Sequence, residues 1–227
     1  MRQLLEDARV YAQKRAAFES AALRALAAPA ADLAALGPVV DGTLPLLVEV
    51  HRAADIEAVL ALARDLKLRL AILGGAEAWM VAPQLAAAKV PVFTTALDNI
   101  PTSFASLGQR QENAALLREA GVSVVLIAGE GESFNVRNLR QQAGNAVAYG
   151  LSWDEALRAV TAAPAEALGV ADRIGTLAPG RDANLVVWDG DPFEFATRAV
   201  HVFVKGREVQ APSRQDELTE RYLPRPR

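Results

Sequence analysis

The stretch LLVEVHRAADIEAVLALARDLKLRLAIL, residues 46–73, decides the fold. It opens on an apolar run, Leu46 to Val50, and closes on another, Leu68 to Leu73. Between them, from Ala53 to Leu66, apolar residues recur at helical spacing among charges. Short apolar runs without polar alternation suit strands buried on both faces, and strand–helix–strand is then the parallel βαβ unit.

Downstream the rhythm repeats. AEAWMVAPQLAAAK (76–89), QENAALLREAG (111–121) and NVRNLRQQAGNAVAYG (135–150) read as helices, and VPVFTT (90–95) and VSVVLIA (122–128) as strands. The handedness of βαβ crossovers puts these helices on one side of the sheet. In LSWDEALRAVTAAPAEALGV (151–170), a further helix, Ser152 is placed to cap, Glu155 to close a capping box and Pro164 to mark a break or kink. Beyond it, short β-branched runs are separated by Pro179-Gly180, Asp189-Gly190 and Lys205-Gly206, the turn signals of a small antiparallel module. In Asp189 to Pro192, Asp-Gly supplies a positive φ and Pro fixes the next residue, so this acidic cluster is a turn and not a metal site.

Upstream, Arg2 to Ala28 suits a helix, and residues 28–42 a loop carrying a short one. The tail, 213–227, reads as a surface helix ending at Pro224. The fold class is thus α/β. A helical segment (1–43) precedes about four βα units and the following helices (44–172), then come antiparallel strands (173–210) and a tail (211–227).

With 52% hydrophobic and 22% charged residues, the 227-residue chain can bury a core. A net charge of -3 gives no basic footprint, so nucleic acid is not expected as a partner. Zero cysteines remove disulfides and thiolate chemistry. There is no apolar run of the roughly 20 residues a bilayer requires, and the charged start lacks a signal core. A soluble, cytoplasmic chain is expected as written, or a periplasmic one where a signal segment precedes it. Serine hydrolase chemistry has no G-x-S-x-G elbow to rest on.

GVADRIGTLAPGRDANLVVWDGDPFE (169–194) followed by VHVFVKGREV (200–209) resembles the passage from barrel to β-sandwich in amidohydrolase-superfamily proteins related to imidazolonepropionase. NAALLREAGVSVVL (113–126) and residues 151–170 are similar to the last barrel units of that family. The resemblance runs from about Leu44 to Val209 and implies the C-terminal half of a (β/α)8 TIM-type barrel, its four strands being the fifth to eighth. It also implies hydrolysis of non-peptide C–N bonds, in amides or cyclic amides. The chemistry is that of one or two divalent metals such as zinc, held at the C-terminal ends of strands.

The ligand positions depart from that pattern. The family's fifth strand ends His-x-His-Arg-Ala-x-Asp-Ile, its first histidine binding metal. Here Glu49 stands at that position and His51 at the second, non-ligand histidine. Glu49 is either a residual oxygen ligand or an ion-pair partner for Arg52 or Arg69. The sixth strand's histidine is replaced by Gly74, and the eighth strand's catalytic aspartate falls on Gly129 or Glu130. Glu130 is the candidate general base. His51, Arg52, Arg137 and Asn138 are candidates to face a small-molecule ligand. GEGES (129–133) resembles an anion-cradling loop, but its glutamates oppose a phosphate and a plain βα-loop is the better description. His201 falls in a sandwich strand and reads as structural.

The family's first four strands, with their His-x-His pair, have no counterpart here. Hydrolysis by this chain alone is therefore not expected, and no metal is expected in it unless the missing half is supplied. The alternative is a metal-free pseudoenzyme serving as a binding or scaffold module. A four-stranded half-barrel has two open edges and an open inner face. It is a fragment of a longer product, pairs with its own copy, or docks on a chain carrying the first half. The helix expected over 1–28 is placed to shield part of the open surface.

Overall fold

A computed structural model describes residues 1–97, 101, 103–129, 133–209 and 212–223. The chain divides into two compact units, Met1–Thr176 and Leu177–Arg227.

The first unit begins with α1 (Arg2–Gln13), α2 (Arg15–Glu19), α3 (Ala30–Ala35) and α4 (Gly37–Val40). Four strands follow, β1 (Leu46–Val50), β2 (Leu70–Gly74), β3 (Val92–Thr94) and β4 (Val124–Leu126), with α5 (Ala53–Asp65), α6 (Ala82–Ala87) and α7 (Asn113–Glu119) between them. After β4 come α8 (Leu139–Ala148), α9 (Trp153–Val160) and α10 (Ala162–Leu168). The sheet order is β1-β2-β3-β4, every pair parallel, as the apolar runs predict. This is the strand–helix sequence of half a (β/α)8 barrel.

One face of the sheet, the rung Val48–Ile72–Val92–Val124, is buried beneath the helix layer with Ile56, Leu85 and Leu117. The other is the inner face. β2, β3 and β4 are buried almost throughout, but β1 alternates: Val48 and Val50 are buried while Leu47 and Glu49 are exposed. The expectation of a strand covered on both sides therefore fails at β1, where nothing described lies over the inner face.

Several helices are shorter than the periodicity predicts. The helix expected over Arg2–Ala28 breaks at Lys14 and ends at Glu19. Beyond it the fully buried Asp7 carboxylate binds the Arg24 guanidinium and accepts from the Ala27 N–H (2.8 Å), drawing that backbone out of helical geometry. Leu5, Ala8 and Tyr11 of α1 pack with Leu33, Val40 and Leu66, and the Arg9 guanidinium donates to the Leu66 carbonyl (2.6 Å). The N-terminal segment is thus occupied beside α5, and this cluster leaves Leu47 and Glu49 of the open surface exposed. The helix expected over 76–89 splits into a 3-10 turn (Ala78–Val81) and α6, because Pro83 lacks an N–H and fits only a helix's first turn. Pro164 acts likewise: α9 stops at Val160, Thr161 leaves helical geometry (φ -129°, ψ -79°) and α10 restarts, placing the ring in its first turn. Ser152 caps α9, its Oγ accepting from the Glu155 N–H (3.3 Å), but the expected reciprocal bond is replaced. The Glu155 carboxylate takes both Arg118 donors instead, at 2.6 and 3.0 Å.

One device closes α5, α6, α7, α8 and α10. A residue at positive φ donates to the carbonyl three back, and the next residue donates to the carbonyl five back, giving Leu68→Ala63, Val90→Leu85, Val122→Leu117, Leu151→Ala146 and Val170→Ala165. These are Schellman closures. The left-handed residue is Gly121, Gly150 and Gly169 in three of them but Lys67 (φ 52°) and Lys89 (φ 54°) in the other two. In α5, α6 and α7 the strand starts immediately afterwards.

The second unit is the antiparallel sheet β5 (Leu185–Trp188), β6 (Ala199–Val204) and β7 (Arg207–Glu208), followed by α11 (Arg214–Tyr222). Lys205 (φ 50°) and Gly206 (φ 75°) form the β6–β7 turn, as their sequence predicts. The predicted positive φ at Gly190 does not occur. Its lack of a side chain serves close approach instead, since a Cβ there would lie 3.0 Å from Thr197 Oγ1. The predicted turn forms through Asp191, whose Oδ1 accepts from the Phe193 N–H (2.9 Å). Ser213 and Asp216 cap α11 reciprocally. Pro224 lies outside the described residues.

Candidate active site at the strand ends

The C-terminal ends of β1 to β4 are where a barrel would gather its chemistry. One rung crosses the inner face there: Glu49 pairs with Leu73, Leu73 with Phe93 and Phe93 with Val125. Three of its four members are apolar. Phe93, Val125 and Ala71 are buried against Ala163, with Leu73, Ile127 and Ala167 packed alongside. α10 thus lies across the inner face on the β2–β4 side, while Leu47 and Glu49 stay open on the β1 side.

Glu49 is exposed, with no ion-pair partner among the described residues. The pairing considered with Arg52 or Arg69 is not formed: the Arg69 guanidinium donates instead to the Thr43 carbonyl (3.0 Å). Gly74 lies beside Val50, one residue further along than Glu49, with a φ of 86°. A histidine there would lack the conformational freedom that this backbone angle demands. His51 is half-buried, its carbonyl accepting from the Glu77 N–H (2.9 Å), and Arg52 is exposed at the N-cap of α5. Gly129 offers no side chain, and Glu130 lies outside the described residues, as does most of the 129–133 loop. Arg137 and Asn138 are exposed in a 3-10 turn (Ser133–Asn138) ahead of α8 and not in the helix, Asn138 Nδ2 donating to Asn135 Oδ1 (2.9 Å).

Among the described residues no group of three or more His, Cys, Asp or Glu could hold a metal ion. A catalytic zinc takes three protein ligands. Glu49 is the single strand-end candidate with both a donor atom and a described position, so these residues do not fit the metal centre that the family resemblance implies.

The βα-loops are fixed by side chains that sequence patterns pass over. Glu77 Oε2 accepts from the Ala53 N–H (2.9 Å) and Oε1 from the Gly108 N–H (3.3 Å). Buried Asn113 bridges two backbone groups, Oδ1 accepting from the Trp79 N–H (3.1 Å) and Nδ2 donating to the Gly75 carbonyl (3.1 Å). Buried Gln142 accepts from the Ala96 N–H (2.7 Å). The Trp79 indole donates to the Gly108 carbonyl (2.9 Å) beneath the Arg110 guanidinium, 4.8 Å from the ring centre. These groups are spent on backbone, which makes them positioning groups and not acids or bases. A hollow of about 930 Å³ lies at the opposite end of the sheet, beside Pro45, Leu70, Pro91 and Ser123. Barrel catalysis does not use that end.

His201 sits on the antiparallel sheet, Nδ1 2.5 Å from Glu208 Oε1. No described helix is long and apolar enough to cross a membrane.

Residues 23–210 match the Amidohydrolase family. The amidohydrolase tasK of Hapsidospora irregularis is 33% identical over 91 residues, 40% of this chain and 9% of that protein. The imidazolonepropionase of Ruegeria pomeroyi is 39% identical over 103 residues, 44% of this chain and 25% of that protein. A crystal structure of an amidohydrolase from Thermotoga maritima superposes with a TM-score of 0.80 at 28% identity, covering 92% of this chain and 54% of that one. A zinc-bound adenosine deaminase from Xanthomonas campestris, at 20% identity and a TM-score of 0.55, shares the fold; 78% of this chain covers 49% of it. This chain therefore spans about half the length of these solved structures and a quarter or less of the two curated relatives.

Proposed function

Because this chain belongs to the amidohydrolase family, we propose that it keeps the family's scaffold without its metal chemistry, acting as a binding or scaffold module. In this reading residues 1–227 hydrolyse no C–N bond unaided. Gly74 carries the proposal: it stands where the resemblance places a metal-binding histidine, has no side-chain donor atom and holds a backbone φ of 86° that a histidine would resist. Glu49 alone falls two ligands short of a zinc site. A small polar ligand would meet His51 and Arg52 at the end of β1 and Arg137 and Asn138 before α8.

A second reading has one observation in its favour, the exposed Glu49 carboxylate at a strand end. Here the polypeptide length that relatives have and this chain lacks would supply a histidine pair and a divalent metal such as zinc. The assembled barrel would then hydrolyse amide or cyclic amide C–N bonds, with Glu130 as the general base.

The test is to incubate the purified chain with zinc or manganese, remove free metal and assay a panel of linear and cyclic amides. The proposal expects metal well below one ion per chain and no turnover. One ion per chain together with turnover that Glu49→Gln abolishes would sink it.

A further inference from the structure

We infer that the hollow at the N-terminal end of the β1–β4 sheet binds a small organic phosphate, held by Lys67 and Lys89. Its volume of about 930 Å³ is that of a small-molecule pocket. Arg64, Lys67, Arg69 and Lys89 line it, against two carboxylates, Glu57 and Glu166. Glu166 is already held by Arg158, whose Nη1 donates to Oε1 (3.0 Å), and Glu57 Oε1 accepts from Gln84 Nε2 (3.4 Å). In a chain of net charge -3, this concentration of cations makes a local positive field suited to an anion.

Backbone geometry singles out the two lysines. Of four non-glycine residues at positive φ among the described residues, two, Lys67 (φ 52°) and Lys89 (φ 54°), line this one hollow. The same closure uses glycine in α7, α8 and α10, so lysine holds strain here that glycine would relieve. A residue held in a costly conformation points to work done by its side chain. The carbonyls at the two helix ends are not its partners. Those of Leu62, Ala63 and Arg64 in α5, and of Gln84, Leu85 and Ala86 in α6, already accept backbone N–H groups. Neither ammonium has an ion-pair or hydrogen-bond partner among the described residues.

The lysines stand in the loops entering β2 and β3, which are paired and so lie about 5 Å apart. On flexible four-carbon stems, both ammonium groups can reach one diphosphate. Arg69 adds to them: its Nη1 donates to the Thr43 carbonyl (3.0 Å), and the guanidinium has donors to spare. Much of the remaining lining is apolar, with Pro45, Leu60, Leu68 and Pro91 half-buried. Inorganic phosphate would leave that surface in water, whereas an organic body would cover it. This hollow lies at the end of the sheet opposite Glu49 and Gly74, so the inference does not rest on the reading of the strand ends, and its test uses no metal.

The chain is titrated calorimetrically with ADP and, separately, with pyrophosphate, in metal-free buffer at low salt. Saturable one-to-one binding of ADP is expected, several-fold tighter than that of pyrophosphate. Lys67→Gly with Lys89→Gly should weaken it roughly tenfold or more. Urea unfolding of that double variant shows that the loss of binding is not a loss of fold, since glycine suits both backbone angles. Lys67→Gln with Lys89→Gln removes the same charges without freeing the backbone and should weaken binding equally. Lys205→Gly removes a lysine at a φ of 50° that does not line the hollow, and should leave binding unchanged. No saturable heat with millimolar ADP, pyrophosphate bound as tightly as ADP, undiminished binding in either double variant, or an equal loss in Lys205→Gly would each overturn the inference.

Discussion

Replacing Lys89 by glycine should stabilise the protein although it deletes a side chain. Lys89 holds φ at 54°, and Lys67 at 52°, in the same closure that α7, α8 and α10 build on glycine. An L-residue there costs about 1–2 kcal/mol relative to the right-handed region. Glycine removes that cost but adds unfolded-state entropy of about 0.4–1 kcal/mol. Neither lysine makes an ion pair or side-chain hydrogen bond among the described residues, and both are exposed, so little else changes. The expected gain is about 0.5–1 kcal/mol per site, and about 1–2 kcal/mol for the double variant if these separate turns add. Urea unfolding at matched protein concentration should show the double variant's midpoint raised by roughly 0.5 M with an unchanged slope. Gly121→Ala is the reciprocal. A Cβ there meets nothing within 4 Å at a φ of 89°, so its cost, about 1 kcal/mol, is backbone strain alone. Destabilisation by Lys89→Gly, or neutrality of Gly121→Ala, would refute the claim that backbone angle governs these closures.

Asn113→Leu should cost about 2–5 kcal/mol by leaving the Trp79 N–H and Gly75 carbonyl unpaired, and should speed hydrogen exchange at residues 76–80; unchanged exchange would remove its role in holding that loop. Gly175→Ala should cost about 2–4 kcal/mol in thermal unfolding, since its Cβ would lie 2.7 Å from Ala165 Cβ and 2.9 Å from the Thr161 carbonyl oxygen at a φ of 96°. The Arg118 guanidinium hydrogen-bonded to Glu155 holds that carboxyl below its ordinary 4.5. Their bond therefore stabilises above that pH and is lost as pH falls through the lowered value. The deficit of Glu155→Gln should be about 0.5–1 kcal/mol at pH 7, both side chains being about a third exposed, and should vanish in acid. A deficit that does not shrink as the pH is lowered progressively below 4.5 would contradict this.

The strands were legible because each is an apolar run too short for a helix, and the turn at Lys205-Gly206 because its glycine permits the required angle. Helix ends were less so. Pro164 announces a break, but the break falls at Thr161, where the chain must turn for the ring to enter a first turn. Lys67 and Lys89 give no sign of positive φ, since lysine is not a residue that favours it; the repeat shows only when their hydrogen bonds are compared. At the site, the glycine at position 74, where the resemblance places a histidine, is visible in the sequence, but its φ of 86° is not. Glu77, Asn113 and Gln142 were missed because their partners lie 24 to 46 residues away, in loops of other βα units. No local pattern marks a polar residue as one that ties loops together.

Whether the strand ends of this chain bind a metal is the central question. Calorimetric titration of the chain with zinc and with manganese, alongside Glu49→Gln, tests it most directly. No saturable 1:1 heat is expected, and no difference between the two proteins. A one-to-one site lost in Glu49→Gln would contradict it.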